Sequence, residues 1–268
     1  MTHPFNAKGS ASLLATIAFA AAPIASAFAA CAVDSGDTRA ALIELYTSEG
    51  CSSCPPADKA LSMLGSHAQS NPATRIVPLA LHVDYWDSIG WKDPFAQPAF
   101  SQRQDWEVRA NRHRTSFTPH FFVNGREVQD WRADLGQNLR NASGPASARL
   151  HVRAEPRGAN ALHVVVDTTV VGAREGDRGP LQLFIAVTES KLRSQVKAGE
   201  NSGATLDHDY VVRNWIGPIA VQGNGGSVDR VVDVPQLSRG QVSLVAFVQD
   251  PKTAEVLQAV DTGVCKPS

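Results

Sequence analysis

The chain has 268 residues, 43% hydrophobic and 19% charged, and its 25 basic and 26 acidic side chains leave a net charge of -1. That composition supports a sizeable core and excludes a disordered, collagenous or coiled-coil chain. The balanced charge excludes the broad basic footprint on which nucleic-acid binding depends, so no nucleic-acid partner is expected.

At the N-terminus Lys8 precedes an uncharged apolar run over 11–22, followed by the small residues Ala25-Ser26-Ala27 and Ala27-Phe28-Ala29. Residues 1–30 therefore read as a secretory signal peptide, since the run is shorter than the roughly 20 apolar residues of a membrane span. Its removal leaves 24 basic against 26 acidic residues. The implied location is the periplasm or the cell exterior, where disulfides persist. Four cysteines remain, and two of them, Cys31 and Cys265, bracket the processed chain. They are read as a structural disulfide tying the termini, with lipid attachment at Cys31 in a Phe28-Ala29-Ala30-Cys31 box as the alternative.

From 41 onward the predicted elements come in the order strand, helix, strand, helix, hairpin, helix. Residues 41–47 form a short apolar strand, and a helix opens at Pro55-Pro56, where proline is tolerated in the first turn. Residues 75–83 form a second strand, made irregular by Pro78. A polar-aromatic loop over 84–97 leads to a helix over 98–114, whose arginines Arg103, Arg109, Arg112 and Arg114 are explained by the helix dipole and solvation. Asn124-Gly125 joins strands 120–123 and 126–128 through a type I′ turn. A short helix over 133–140 and a linker over 142–145 close this half. Beyond it, 148–154, 161–171, 181–188, 210–216, 227–234, 241–249 and 256–260 alternate with turn residues, as seven strands of an antiparallel sandwich do.

Cys51-Ser52-Ser53-Cys54, between strand and helix, is the strongest chemical signal. A thiolate is the nucleophile in disulfide exchange, and the positive end of a helix dipole lowers a cysteine pKa, while a second cysteine resolves the mixed disulfide. The competing readings are an inert structural disulfide and half a zinc site; zinc lacks its other ligands, so no metal and no cofactor is expected. Glu49-Gly50 before the motif opposes thiolate formation, and Pro55 lets the helix dipole act on Cys54 as strongly as on Cys51. Asp58 and Lys59 read as surface positions.

The element order, the Cys-x-x-Cys after the first strand and Thr118-Pro119 before the hairpin together resemble the thioredoxin-like fold. Residues 44–58, 82–96 and 118–125, extended by 199–201 and 208–213, resemble more closely a secreted bacterial family catalogued as domain of unknown function 1223, which has no established reaction. The resemblance implies an α/β thioredoxin-like N-terminal domain over 31–145, followed by the antiparallel β-sandwich domain over 146–268. It also implies a cis Pro119 against the redox motif, with the backbone of Thr118 free to pair with a bound peptide. Glu44 resembles the buried proton-shuttling acid of that fold, though it stands one residue further from the motif, with a solvent-facing strand residue as the alternative. His208 and Arg213 enter through the resemblance alone.

Tyr85, Trp86 and Trp91 follow the second strand and are expected as a rim over the thiols, or else buried against the second domain. The resulting expectation is an exported thiol–disulfide oxidoreductase with catalytic Cys51 and Cys54, acting on a protein or small-molecule thiol partner. The rivals are a non-catalytic envelope binding module with a fixed disulfide, and copper handling with His82 and Asp84 beside the cysteines.

Overall fold

A computed structural model of the chain describes residues 1, 31–71, 75–157, 160–172, 180–234 and 241–263. The signal-peptide reading of 1–30 and the Cys265 end of the expected terminal disulfide lie outside the described residues; Cys31 is the first residue of the first strand.

In chain order the first half builds β1 (Cys31–Asp34), β2 (Ala41–Thr47), α1 (Pro55–Ser70), β3 (Ile76–His82), a 3-10 turn at Asp87–Ile89, α2 (Pro98–Ala110), β4 (His120–Val123), β5 (Arg126–Val128) and α3 (Trp131–Ala142). The second half is all strand: β6 (Ala148–Pro156), β7 (Ala161–Val170), β8 (Leu181–Ser190), β9 (Leu192–Gln195), β10 (Thr205–His208), β11 (Val211–Val221), β12 (Gly225–Asp233), β13 (Gln241–Gln249) and β14 (Val256–Asp261). Local chemistry accounts for the boundaries. Ala57, Leu61 and Gly65 recur every four residues and give α1 one buried face. Asp130 caps α3 by accepting the N–H groups of Arg132 and Ala133. Asn124 and Gly125, at φ 49° and 77°, make the tight turn between β4 and β5.

These strands do not sort into two separate domains. An eight-stranded mixed sheet runs in the order β14-β13-β8-β11-β3-β2-β4-β5, and a four-stranded antiparallel sheet in the order β1-β6-β7-β12. The large sheet takes four strands from each half of the chain, joined where β11 runs parallel to β3 at Val211 and Ala80. The small sheet in turn recruits β1 from the N-terminal end. The expected free-standing α/β thioredoxin-like domain followed by an independent sandwich is therefore corrected. Among the described residues the chain is strand-rich, with fourteen strands against three α-helices, and its principal sheet belongs to both halves.

Pro78 shows how this sheet is assembled. It sits inside β3, paired with Ile43 of β2, and its missing N–H falls on the side facing β11. That neighbour begins only two residues later, where the Ala80 N–H donates to the Tyr210 carbonyl at 2.9 Å, so no ladder bond is lost.

α1 and α3 cover one face of the β2–β4 region through Ile43, Leu45, Leu61, Phe121 and Leu135. The small sheet packs its Leu150, Val152 and Val164 against Leu183, Ile185 and Leu244 of β8 and β13. α2 lies on the opposite face, where Phe100 and Val108 join Leu42, Leu81, Phe184 and Phe247. Each such fully buried Leu or Phe stabilises by about 1.5–3 kcal/mol. The sheet curls around α2 until β14 returns beside β2: Gln258 accepts the Ala40 N–H at 2.9 Å, and the Val256 N–H reaches the Asn124 carbonyl.

Candidate functional site

Cys51 and Cys54 form a disulfide with an S–S distance of 2.13 Å, on the loop between β2 and α1. Cys54 is the residue before the first helical turn, and its carbonyl accepts the N–H groups of Ala57 and Asp58. The positive end of the α1 dipole therefore acts at Cys54. Both cysteines are 0% exposed, although Ser52 and Ser53 between them are open to solvent. The Ser53 hydroxyl lies 3.3 Å from the Cys51 sulfur, so Cys51 borders the exposed side of the loop.

Much of the cover comes from the second half of the chain. The loop between β9 and β10 reaches across the motif: a Glu200 oxygen accepts the Ser52 N–H at 2.9 Å, and the Asn201 amide donates to the carbonyls of Glu49 (2.8 Å) and Cys51 (2.9 Å). Gly199, at φ 72°, lets this loop close on Trp91, since a Cβ there would stand 3.2 Å from the Trp91 Cβ.

Beneath the disulfide lies a buried polar cluster. One Glu49 oxygen lies 3.0 Å from His208 Nε2, and the other accepts the Trp91 indole N–H at 2.7 Å. Asp93 accepts the Glu49 backbone N–H at 2.8 Å and lies 2.7 Å from His82 Nδ1. The rings of His82, His208 and Phe95 meet edge to face at 5.2–5.4 Å. Asp58 stands four residues after Cys54, on the same side of α1, half-buried and within the electrostatic reach of His82 and His208.

The environment sets the charges. Burial alone would raise the pKa of Asp93, but His82 outweighs it and holds the carboxyl below its ordinary value. Burial alone would lower His82, but Asp93 outweighs it and the imidazole is held above its ordinary value. Glu49 is likewise held low against the effect of burial by its bonds to His208 and neighbouring donors. Asp58 differs: burial raises it in spite of both histidines. His82 Nε2 is buried and has no hydrogen-bond partner among the described residues.

The residues singled out from sequence are distributed as follows. Trp86 lies against Gly50 and donates its indole N–H to the Thr118 hydroxyl at 2.7 Å, beside a cis Thr118–Pro119 peptide bond. Tyr85 is exposed, with its hydroxyl on Gln104. Trp91 both borders the cysteine loop and packs on the second half, so the two alternatives for these aromatics coexist. Glu44 is neither solvent-facing nor directed at the cysteines: Arg103 engages both of its oxygens, at 2.6 and 3.0 Å, on the α2 face of the sheet. This also corrects the solvated role expected of Arg103, which is 7% exposed and packs its guanidinium over Phe184, Trp215 and Phe247. Asp58 is corrected from a surface position to a member of the cluster.

Asp93, Glu200 and Asn201 were not identified from sequence as site residues. The odd placement of acids on both sides of the motif, Glu49 and Asp58, was the only signal pointing to a polar environment there. His82 and Asp84 do not assemble a copper site with the cysteines: among the described residues no group of three His, Cys, Asp or Glu side chains has metal-binding geometry. The Asp84 carboxylate instead accepts from Ser101. No described helix is long and apolar enough to cross a membrane.

No curated protein matches the chain. Two solved structures resemble it. Protein AGR_C_4864 from Agrobacterium tumefaciens is 21% identical, with a TM-score of 0.59 over 85% of this chain and 95% of that one. HBP35 of Porphyromonas gingivalis is 15% identical, with a TM-score of 0.61 over 87% of this chain and 77% of that one. At these identities the likeness is one of fold. The family model described as protein of unknown function (DUF1223) matches residues 42–249, which include the cysteine loop, the cluster beneath it and the loop that covers it, and the chain belongs to that family.

Proposed function

We propose that the chain is an exported thiol–disulfide exchange protein whose exchanging group is the Cys51–Cys54 pair. The observation that carries this reading is the cluster of titratable side chains, Glu49, Asp58, His82, Asp93 and His208, gathered under a disulfide at a helix N-terminus. Groups such as Glu49, Asp58, His82 and Asp93, whose pKa values are shifted, concentrate where protons are moved, and a bond that merely ties two loop residues has no need of them.

In the exchange, a partner thiolate attacks the Cys51 sulfur, a partner–Cys51 bond forms, and the Cys51–Cys54 bond breaks with its electron pair on Cys54. Cys54 leaves as a thiolate stabilised by the α1 dipole and takes up a proton, for which Asp58, whose pKa burial raises, is a titratable group one turn along the same helix face. A second partner thiolate attacks the mixed disulfide and releases Cys51. The partner becomes a disulfide and the protein a dithiol, with two electrons and two protons transferred; run backwards, the same steps deliver a disulfide.

A second reading, a binding module with a fixed disulfide, is favoured by the complete burial of both cysteines. The two are separated by equilibrating the oxidised, processed protein with glutathione and then dithiothreitol at set potentials and counting thiols by alkylation. Exchange without unfolding, lost in Cys51→Ser, supports the proposal. A potential below about -300 mV, with reduction only upon unfolding, assigns the disulfide to the fixed class.

A further inference from the structure

Glu200 and Asn201 do more than shield the sulfurs. They satisfy three backbone groups of the motif with the two functions a peptide unit carries: an acceptor oxygen on the Ser52 N–H, and an N–H donor on the carbonyls of Cys51 and Glu49. Beside these groups runs a belt of aromatic and aliphatic side chains. Phe117 and Tyr85 flank Thr118, Trp86 bridges from Thr118 to Gly50, and Trp91 with Ile89 continues to Gly199. Six large hydrophobic side chains are exposed among the described residues, and three of them, Tyr85 (41%), Ile89 (42%) and Phe117 (42%), stand in this belt. Buried hydrophobic side chains elsewhere show that the fold has room to hide such groups, and apolar exposure concentrated beside a chemically distinctive loop marks a contact surface.

We propose that this face docks an extended polypeptide segment with apolar side chains, and that the loop between β9 and β10 is a strap competing with it for the same backbone groups. The partner's own C=O and N–H replace Glu200 and Asn201 at Ser52 and Cys51, while its side chains lie on the Phe117–Tyr85–Trp86 belt. Displacing the strap also uncovers Cys51, so binding and access to the sulfur are one event. The partner class rests on the exchange reading, which it narrows from any thiol compound to a polypeptide.

The test uses oxidised, processed protein and an unstructured ten-residue peptide with leucine and phenylalanine flanking two serines that stand in for cysteines, so that binding is read without chemistry. Binding is followed by tryptophan fluorescence. Wild type binds this peptide and ignores a version with serine at the apolar positions. Removing the one strap hydrogen bond of Glu200 in Glu200→Ala, or the two of Asn201 in Asn201→Ala, lowers the Kd roughly two- to tenfold. Glu200→Gln, which keeps an acceptor for Ser52, behaves as wild type, and Phe117→Ser raises the Kd about tenfold. Equal binding of both peptides, or strap variants that leave the Kd unchanged, overturns the proposal. Exchange with dithiothreitol, measured on the same samples, keeps the two ideas apart: exchange without peptide binding sinks this inference alone, and peptide binding without exchange sinks the exchange reading and leaves a peptide-binding surface.

Discussion

At the scale of single residues, the His82–Asp93 pair makes the site's environment measurable. Folding raises the pKa of His82 and lowers that of Asp93. The histidine contribution is complete below its ordinary value, about 6.5, and is lost as pH rises through the raised value. The aspartate contribution is complete above its ordinary value, about 3.9, and is lost as pH falls through the lowered one. The pair thus stabilises most between those two ordinary values, while Asp58, raised by burial, works in the opposite sense as pH climbs out of the aspartate range. His82→Asn also removes the histidine charge that lowers the Asp58 pKa, a further loss that likewise disappears once His82 is neutral. The variant should lose roughly 1.5–3 kcal/mol near pH 5.5, the scale of a charged hydrogen bond. That gap should narrow as pH rises past the histidine range, read by chemical denaturation at each pH. A gap independent of pH would show that His82 is not charged in the folded protein.

At the scale of elements, α1 follows directly on the second cysteine, and its buried face includes one especially close contact. Gly65 meets the ring of Tyr210, the residue just before β11, and a Cβ at Gly65 would lie 2.3 Å from that ring. Helix propensity favours alanine over glycine by about 1 kcal/mol, but the buried Tyr210 ring must shift to admit the added methyl. Gly65→Ala should therefore destabilise by about 1–3 kcal/mol as overpacking does, with a drop in midpoint at unchanged denaturant slope. This contact also shows where sequence reading stops. Hydrophobic periodicity and turn residues placed most strands and all three helices to within a few residues, because those signals are local. β1, β9 and β10 carry no such signal: each is a four-residue strand, half exposed, too short for alternation to stand out. Pairing is not local at all. Nothing in Val211 or Ala80 announces that they are neighbours, so from sequence the second half resembles a separate sandwich, and the strap carrying Glu200 and Asn201 has no visible target.

At the scale of the whole molecule, the large sheet and α2 leave the two halves little freedom to fold apart. Glu44 comes from β2, Arg103 and Glu107 from α2, and Gln249 from β13, so one buried polar group spans both halves: Arg103 binds Glu44, approaches Glu107 at 3.6 Å and donates to Gln249 at 3.2 Å. Tyr46 completes it by donating to Glu107 at 2.7 Å. Burial, reinforced by the nearby Glu44 carboxyl, raises the pKa of Glu107, while Glu44 is the acid that Arg103 engages through both oxygens. Removing the Glu44 carboxylate takes the bidentate partner from a buried guanidinium, a change that costs about 3–5 kcal/mol in buried pairs and is partly offset here by Glu107 at 3.6 Å. Glu44→Gln should therefore lower stability by about 2–4 kcal/mol, and the loss should appear in both halves at once. The check is chemical denaturation followed by two probes, tryptophan fluorescence and far-ultraviolet circular dichroism, with amide exchange reporting β2 and β13 separately. Coincident curves and equal loss of protection in the two strands are the outcome the shared sheet requires. A variant in which β13 keeps its protection while β2 opens would mean that the halves are coupled only by contact, and that the strap over Cys51 moves on a body of its own.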